Sequence, residues 1–80
     1  MRVIVQVYGI SFPGGTKHEL KLPEFSTIET AVYALVDILK ENTVEELLKY
    51  MPLVNGVRAN KDSILSESDN VLLLNTLGGG

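Results

Sequence analysis

Val3, Val5 and Val7 alternate with Arg2, Ile4, Gln6 and Tyr8, the period-two pattern of a strand with one buried face. Leu20 and Leu22 alternate with Glu19 and Lys21 in the same way, so the chain is predicted to return as the second arm of a hairpin that Pro23 ends. Residues 9–16, centred on Pro13-Gly14-Gly15, carry turn chemistry and are expected to form the connecting loop. The period then changes. Ile28, Ala31, Val32, Leu35, Ile38 and Leu39 recur at helical spacing and predict a helix with one buried stripe. Ser26-x-x-Glu29 has the form of a capping box at its start. Thr43-x-x-Glu46 repeats that form before a shorter helical turn containing Leu47, Leu48 and Met51, which Pro52 is expected to close.

Leu53-Val54-Asn55-Gly56-Val57 reads as two short strands around an Asn-Gly turn. Residues 60–68 follow as a polar loop anchored by Ile64 and Leu65, and residues 71–75 form a strongly apolar last strand. The predicted order is β-β-α-(short α)-β-β-β, an α+β roll with one sheet and one main helix on one face. A sheet with one long helix places its two most apolar strands centrally, so the first and last strands are expected side by side. Their pairing would be parallel, with the intervening hairpin, helix and loops providing the long crossover that a parallel pair needs.

Composition narrows this picture. Eighty residues with 45% hydrophobic content make one small domain with enough apolar material for a core. The net charge of −3 argues against nucleic acid, whose binding domains carry basic patches. The chain has no cysteine, so there is no disulfide framework, no thiolate metal site and no internal thiol nucleophile. That absence fits an intracellular, cytoplasmic protein. No segment has the form of a signal peptide, and no apolar run approaches the roughly 18–20 residues of a membrane span.

No catalytic set emerges. Residues 9–17 (GISFPGGTK) superficially resemble a phosphate-binding loop, but Gly15 stands where that motif needs lysine and Thr16 precedes Lys17. His18 is the only histidine and has no apparent nucleophile partner. Glu45-Glu46 and Glu67-x-Asp69 are better read as helix-capping and solvated-loop acids than as metal ligands. Tyr33 and Tyr50 are expected to pack rather than bind a cofactor.

The alternation also predicts a surface. With Val71 and Leu73 turned to the helix, Leu72 and Leu74 face the open side of the sheet, where Ile4 and Tyr8 join them. Such an apolar patch marks a partner-docking site, unless a loop or a second copy covers it. Nearby acidic residues are expected to steer a basic partner. The chain then runs from this last strand into Leu77-Gly78-Gly79-Gly80. Glycines lack a Cβ, so such a thread can enter a narrow tunnel and present its carboxylate.

The strand order, Val54-Asn55-Gly56, Asp62, Ser68-Asp69-x-Val71 and the terminal Gly79-Gly80 line up along the whole chain. In that arrangement the sequence resembles the ubiquitin-like sulfur-carrier family, the ThiS and MoaD proteins, whose relatives include the small archaeal ubiquitin-like modifiers. Two departures stand out: Ser68 occupies a position where the family often has glycine, and the tail has three glycines where two are usual. The resemblance implies a β-grasp roll over residues 1–76 with a mixed sheet of four to five strands, and a flexible Gly-rich tail at 77–80. It also implies a carrier rather than an enzyme, with no cofactor or metal bound. An ATP-dependent activating enzyme would adenylate the Gly80 carboxylate. A sulfur donor protein would convert it to a thiocarboxylate that serves molybdopterin, thiamine thiazole or tRNA thiolation. Gly78 and Gly79 would thread the partner's tunnel. The alternatives are a modifier joined through Gly80 to target-protein lysines, or a non-covalent interaction module whose tail is incidental.

Overall fold

The computed structural model describes residues 1–9, 12–40 and 42–75. The alternating segments become β1 (Arg2–Gly9) and β2 (Phe12–Lys21), paired antiparallel. Helix α1 (Ile28–Leu39) and the short α2 (Val44–Leu48) follow, then β3 (Met51–Val54), β4 (Val57–Arg58) and β5 (Asn70–Leu74). The five strands form one mixed sheet in the order β2-β1-β5-β3-β4. The two most apolar strands, β1 and β5, pair in parallel from Ile4↔Asn70 to Tyr8↔Leu74, as the sequence predicts. The expected domain boundary at residues 76 and 77 lies outside the described residues.

Val3, Val5 and Val7 from β1 and Val71 and Leu73 from β5 turn to one face and are buried there. Ile28, Ala31, Val32 and Leu35 of α1 pack onto them, with Leu47 of α2 and Leu65 of the long loop closing the core. Ile38 stays out of this stripe: it and Tyr33 lie exposed, contrary to expectation. Tyr50 does pack against the core.

Three local expectations shift. Gly9 pairs with Phe12, so β2 begins inside the segment expected to be a loop. Gly15 is a strand position with φ +79°, and a Cβ there would stand 2.4 Å from the Tyr8 ring. The glycines near the hairpin therefore make room for an aromatic ring and accommodate a break in register between Val7 and Gly9. At α1 the cap is Thr27, one residue later than expected. Its hydroxyl accepts from Thr30 N–H at 3.3 Å, while Ser26 is occupied elsewhere, its Oγ donating to Pro23 O at 2.7 Å. At α2 the expected Thr43 cap forms, its Oγ1 accepting from Glu46 N–H at 3.1 Å.

Pro52 does not close that helix, which ends at Leu48; it is the second residue of β3. Its carbonyl points towards β4 and accepts from Ala59 N–H at 3.0 Å. The missing Pro52 N–H points the same way, away from β5, so the proline forgoes a bond to the short outer strand and leaves the β3–β5 ladder intact.

The long loop does more than connect. Its Lys61 and Ser63 carbonyls accept from the first helical N–H groups, Glu29 at 3.0 Å and Ile28 at 3.1 Å, and Leu65 N–H donates to Ser26 O at 2.8 Å. Donors that every helix start leaves unpaired are thus satisfied by a segment far along the chain.

Candidate partner-docking face

Burial of Val3, Val5 and Val7 forces Arg2, Ile4, Gln6 and Tyr8 onto the opposite, open face of β1. Directly paired residues on neighbouring strands share a face. The register therefore sets Leu72 beside Gln6 and Leu74 beside Tyr8, and next to them Leu53 and Met51 of β3. Ile4, Leu72, Leu74, Leu53 and Met51 are each half-buried, and Tyr8 is 39% exposed. All four residues singled out from sequence for this patch (Ile4, Tyr8, Leu72 and Leu74) thus lie on one sheet face, and among the described residues no helix covers it. Leu53 and Met51 extend the patch. They were not foreseen, because the pairing of β3 with β5 cannot be read from a four-residue strand.

The charge around the patch is the reverse of the expected one. Register places Lys21 beside Arg2, Lys17 beside Gln6 and Arg58 beside Leu53. Glu19, beside Ile4, is the acidic residue of this rim, and its carboxylate lies 4.0 Å from the Arg2 guanidinium. A chain of net charge −3 therefore presents a cationic frame around its open-face apolar strip. The sequence misleads here because charges adjacent along a strand alternate between faces and are sorted only by register. Met51 and Arg58 also line a groove of about 330 Å³ with Lys49, Tyr50 and Lys61, so the cationic rim continues around the end of β3.

That end of the sheet is where the chain leaves β5. Asn75 N–H still donates to Tyr8 O at 2.9 Å, so β5 stays tied to β1 up to the last described residue. Gly9 sits directly against this exit: a Cβ there would come within 2.8 Å of Asn75 Cβ and 3.2 Å of Tyr50 Oη. The tail residues Gly78, Gly79 and Gly80 lie outside the described residues.

Two of the remaining motif segments are joined to one another. Asn55 (φ +51°) and Gly56 (φ +82°) form the tight turn between β3 and β4. Asn55 Nδ2 donates to Asp69 Oδ1 at 2.9 Å, its Oδ1 accepts from Asn70 N–H at 2.9 Å, and Asp69 Oδ2 accepts from Ser66 N–H at 2.7 Å. The Val-Asn-Gly and Ser-Asp-x-Val segments are two halves of one hydrogen-bonded clasp that fixes the entry to β5. Ser68 has φ +66°, so this turn does take the left-handed conformation that glycine suits. Asp62 lies in an exposed turn, its N–H donating to Asn60 Oδ1 at 2.8 Å.

His18 lies on the edge strand β2, hydrogen-bonded through Nε2 to Thr16 Oγ1 at 2.9 Å. Among the described residues no group of three His, Asp or Glu side chains is placed to hold a metal ion, and no helix is long and apolar enough to cross a membrane.

No protein-family model matches the chain, and no curated protein matches its sequence. Solved structures do match. SAMP1 from Haloferax volcanii superposes with a TM-score of 0.75 at 19% identity, covering 100% of both chains. A second structure, of H. volcanii small archaeal modifier protein 1, gives 0.68 at 15% identity over 91% of this chain and 94% of the other. A Pyrococcus furiosus protein assigned as molybdopterin converting factor, subunit 1, gives 0.64 at 17% identity over the same shares, 91% and 94%. These likenesses, with the parallel β1–β5 pair and the helix on one face, establish that the chain has the ubiquitin-like β-grasp fold shared by small archaeal modifier and MoaD-type proteins.

Proposed function

We propose that the protein is a sulfur carrier, activated at the Gly80 carboxylate by an ATP-dependent enzyme that docks on the open sheet face. The observation that carries this reading is the alignment of three features along β5. Its outward residues Leu72 and Leu74 lie at the centre of the uncovered patch, its end is anchored to β1, and the sequence beyond it runs into Gly78-Gly79-Gly80. A partner seated on the patch is therefore already at the root of the tail. The whole-length likeness to a small archaeal modifier protein and the likeness to a MoaD-type protein support the same reading.

A carboxylate is a weak electrophile, and activation supplies what it lacks. A Gly80 oxygen would attack the α-phosphorus of ATP, pyrophosphate would leave, and the resulting acyl-adenylate would carry AMP as a good leaving group. Hydrosulfide, or its equivalent from a sulfur donor protein, would then add at the acyl carbon and expel AMP, leaving the thiocarboxylate. Every thiol must come from a partner, because this chain has none. Gly78 and Gly79 would give the tail clearance, and the third glycine would set its reach. The sulfur acceptor would be a synthase making molybdopterin or thiazole, or a tRNA-thiolating enzyme. The cationic frame of Lys17, Lys21 and Arg58 would favour an acidic docking surface on the activating enzyme, chiefly through the association rate.

The higher superposition on small archaeal modifier structures than on the MoaD-type protein favours a second use of the same adenylate: attack by a target lysine amine to give an isopeptide bond. Lys61 is the last basic residue, so trypsin would leave residues 62–80 on the target lysine, and a search for a diglycine remnant would miss them. Intact mass after incubation with ATP, an activating enzyme and sulfide tests the carrier reading. Recovery of the 62–80 branched peptide from cells tests the modifier reading.

A further inference from the structure

A second exposed apolar site lies at the opposite pole of the sheet, where β1 and β5 begin. Phe25 is the third residue of a four-residue turn closed by Ser26 N–H donating to Pro23 O at 3.3 Å. Its φ is +67°, a conformation glycine adopts freely and a bulky L-residue does not. Its ring gains little in exchange, being 76% exposed. A strained backbone and an unburied aromatic ring at the same residue are both unfavourable in the isolated chain. Strain of this kind concentrates where ligands are gripped.

Facing Phe25 is Ile64, 63% exposed yet not loose. It is bridged to Thr27, and the next residue, Leu65, is buried in the core. Between Phe25 and Ile64 runs a groove of about 370 Å³ floored by Met1 and Leu65, with Glu24 and Glu67 on its rim. Glu67 is held in place, its Oε1 accepting from Arg2 N–H at 3.0 Å. Among the described residues no Lys or Arg lines the groove, and the Met1 amino group donates to Leu22 O at 2.7 Å. The rim is therefore acidic, in contrast to the cationic frame of the open face.

We propose that this groove binds a basic segment of a partner protein, one large apolar side chain clamped between Phe25 and Ile64 and flanking Lys or Arg residues paired with Glu24 and Glu67. The groove has room for a side chain or two, not for a folded surface of the roughly 800 Å² per partner that a stable interface between domains buries. Lying at the far end of β5 from the tail, it can be occupied while the open face is engaged. It would let the protein hold a second partner without competing with activation.

The test is selection of a phage-displayed random peptide library on the full 80-residue chain. Enriched peptides should carry a large apolar residue beside Lys or Arg. Their affinity should fall by about tenfold or more in Phe25→Gly, as for loss of an aromatic anchor, and should weaken in Glu24→Gln/Glu67→Gln with a shallower salt dependence. Phe25→Gly relieves the backbone, so its denaturation midpoint should hold or rise; if it does not fold, Ile64→Ser carries the same comparison. No enrichment, acidic peptides, peptides that bind Phe25→Gly undiminished, or a self-association that Phe25→Gly abolishes would each overturn the proposal. ATP-dependent modification at Gly80 should be unchanged in Phe25→Gly, so failure here is separable from failure of the carrier reading.

Discussion

The two faces of β1 and β5 differ completely although their residues alternate one by one. On the helix side Val3, Val5, Val7, Val71 and Leu73 are each 0–2% exposed, locked against α1 and α2. On the other side Ile4, Tyr8, Leu72 and Leu74 are equally apolar in character, yet only partly covered, and they are framed by cations. Adjacent leucines in one strand thus answer to different demands. Leu73 is buried in the core, and Leu72 is a half-buried residue of the open face.

The sharpest way to break this contrast is a matched pair of truncations. Leu73→Ala should lose about 2–5 kcal/mol in chemical denaturation, because it opens a cavity that rigid neighbours cannot fill. Leu72→Ala should lose no more than about 1 kcal/mol, since the removed methyl groups are already half-solvated. Equal losses would mean that the open face is as structural as the core.

The clasp beneath the entry to β5 comes next in size. Asn55→Ala removes two side-chain hydrogen bonds, to Asp69 Oδ1 and from Asn70 N–H, and puts alanine at a positive φ. A loss of about 1–2 kcal/mol in thermal or urea unfolding is expected. An unchanged midpoint would show that the Asn55–Asp69 pairing does not organise the strand.

On the open face the charged frame offers a test by rate. Lys17→Glu/Lys21→Glu should slow association with the activating enzyme several-fold at low salt, and the difference should shrink as salt rises. Faster binding of the charge-reversed protein would place the partner's charge the other way round. Smallest of all, Ser68→Gly should raise stability by about 0.5–1 kcal/mol, because the turn already takes the left-handed conformation.

The Asn-Gly hairpin is legible through local turn chemistry, and the parallel β1–β5 pair because a sheet covered by one helix puts its two most apolar strands at the centre. The Thr43 cap was equally legible. The α1 cap was misplaced by one residue because Ser26 and Thr27 are equally good candidates, and only the tertiary bond from Ser26 to Pro23 decides between them. Pro52 sits in a strand for a similarly non-local reason: its missing N–H falls on the side away from β5, which only the strand order reveals. The shared face of Leu72 and Leu74 is legible in the alternation of residues 71–75. Its extension to Leu53 and Met51 and its cationic rim depend on register, and the strained Phe25 turn depends on a φ value that no residue pattern reveals.

The most direct test of the central claim is intact mass of the wild-type protein and a Leu72→Ser/Leu74→Ser variant after incubation with ATP, an activating enzyme and sulfide. The account predicts that wild type gains the mass of one carboxylate oxygen exchanged for sulfur. That gain should vanish when Gly80 is deleted and fall at least about tenfold in rate for the still-folded patch variant. Thiocarboxylate formation at the same rate in the patch variant, or no mass change in wild type, would contradict it.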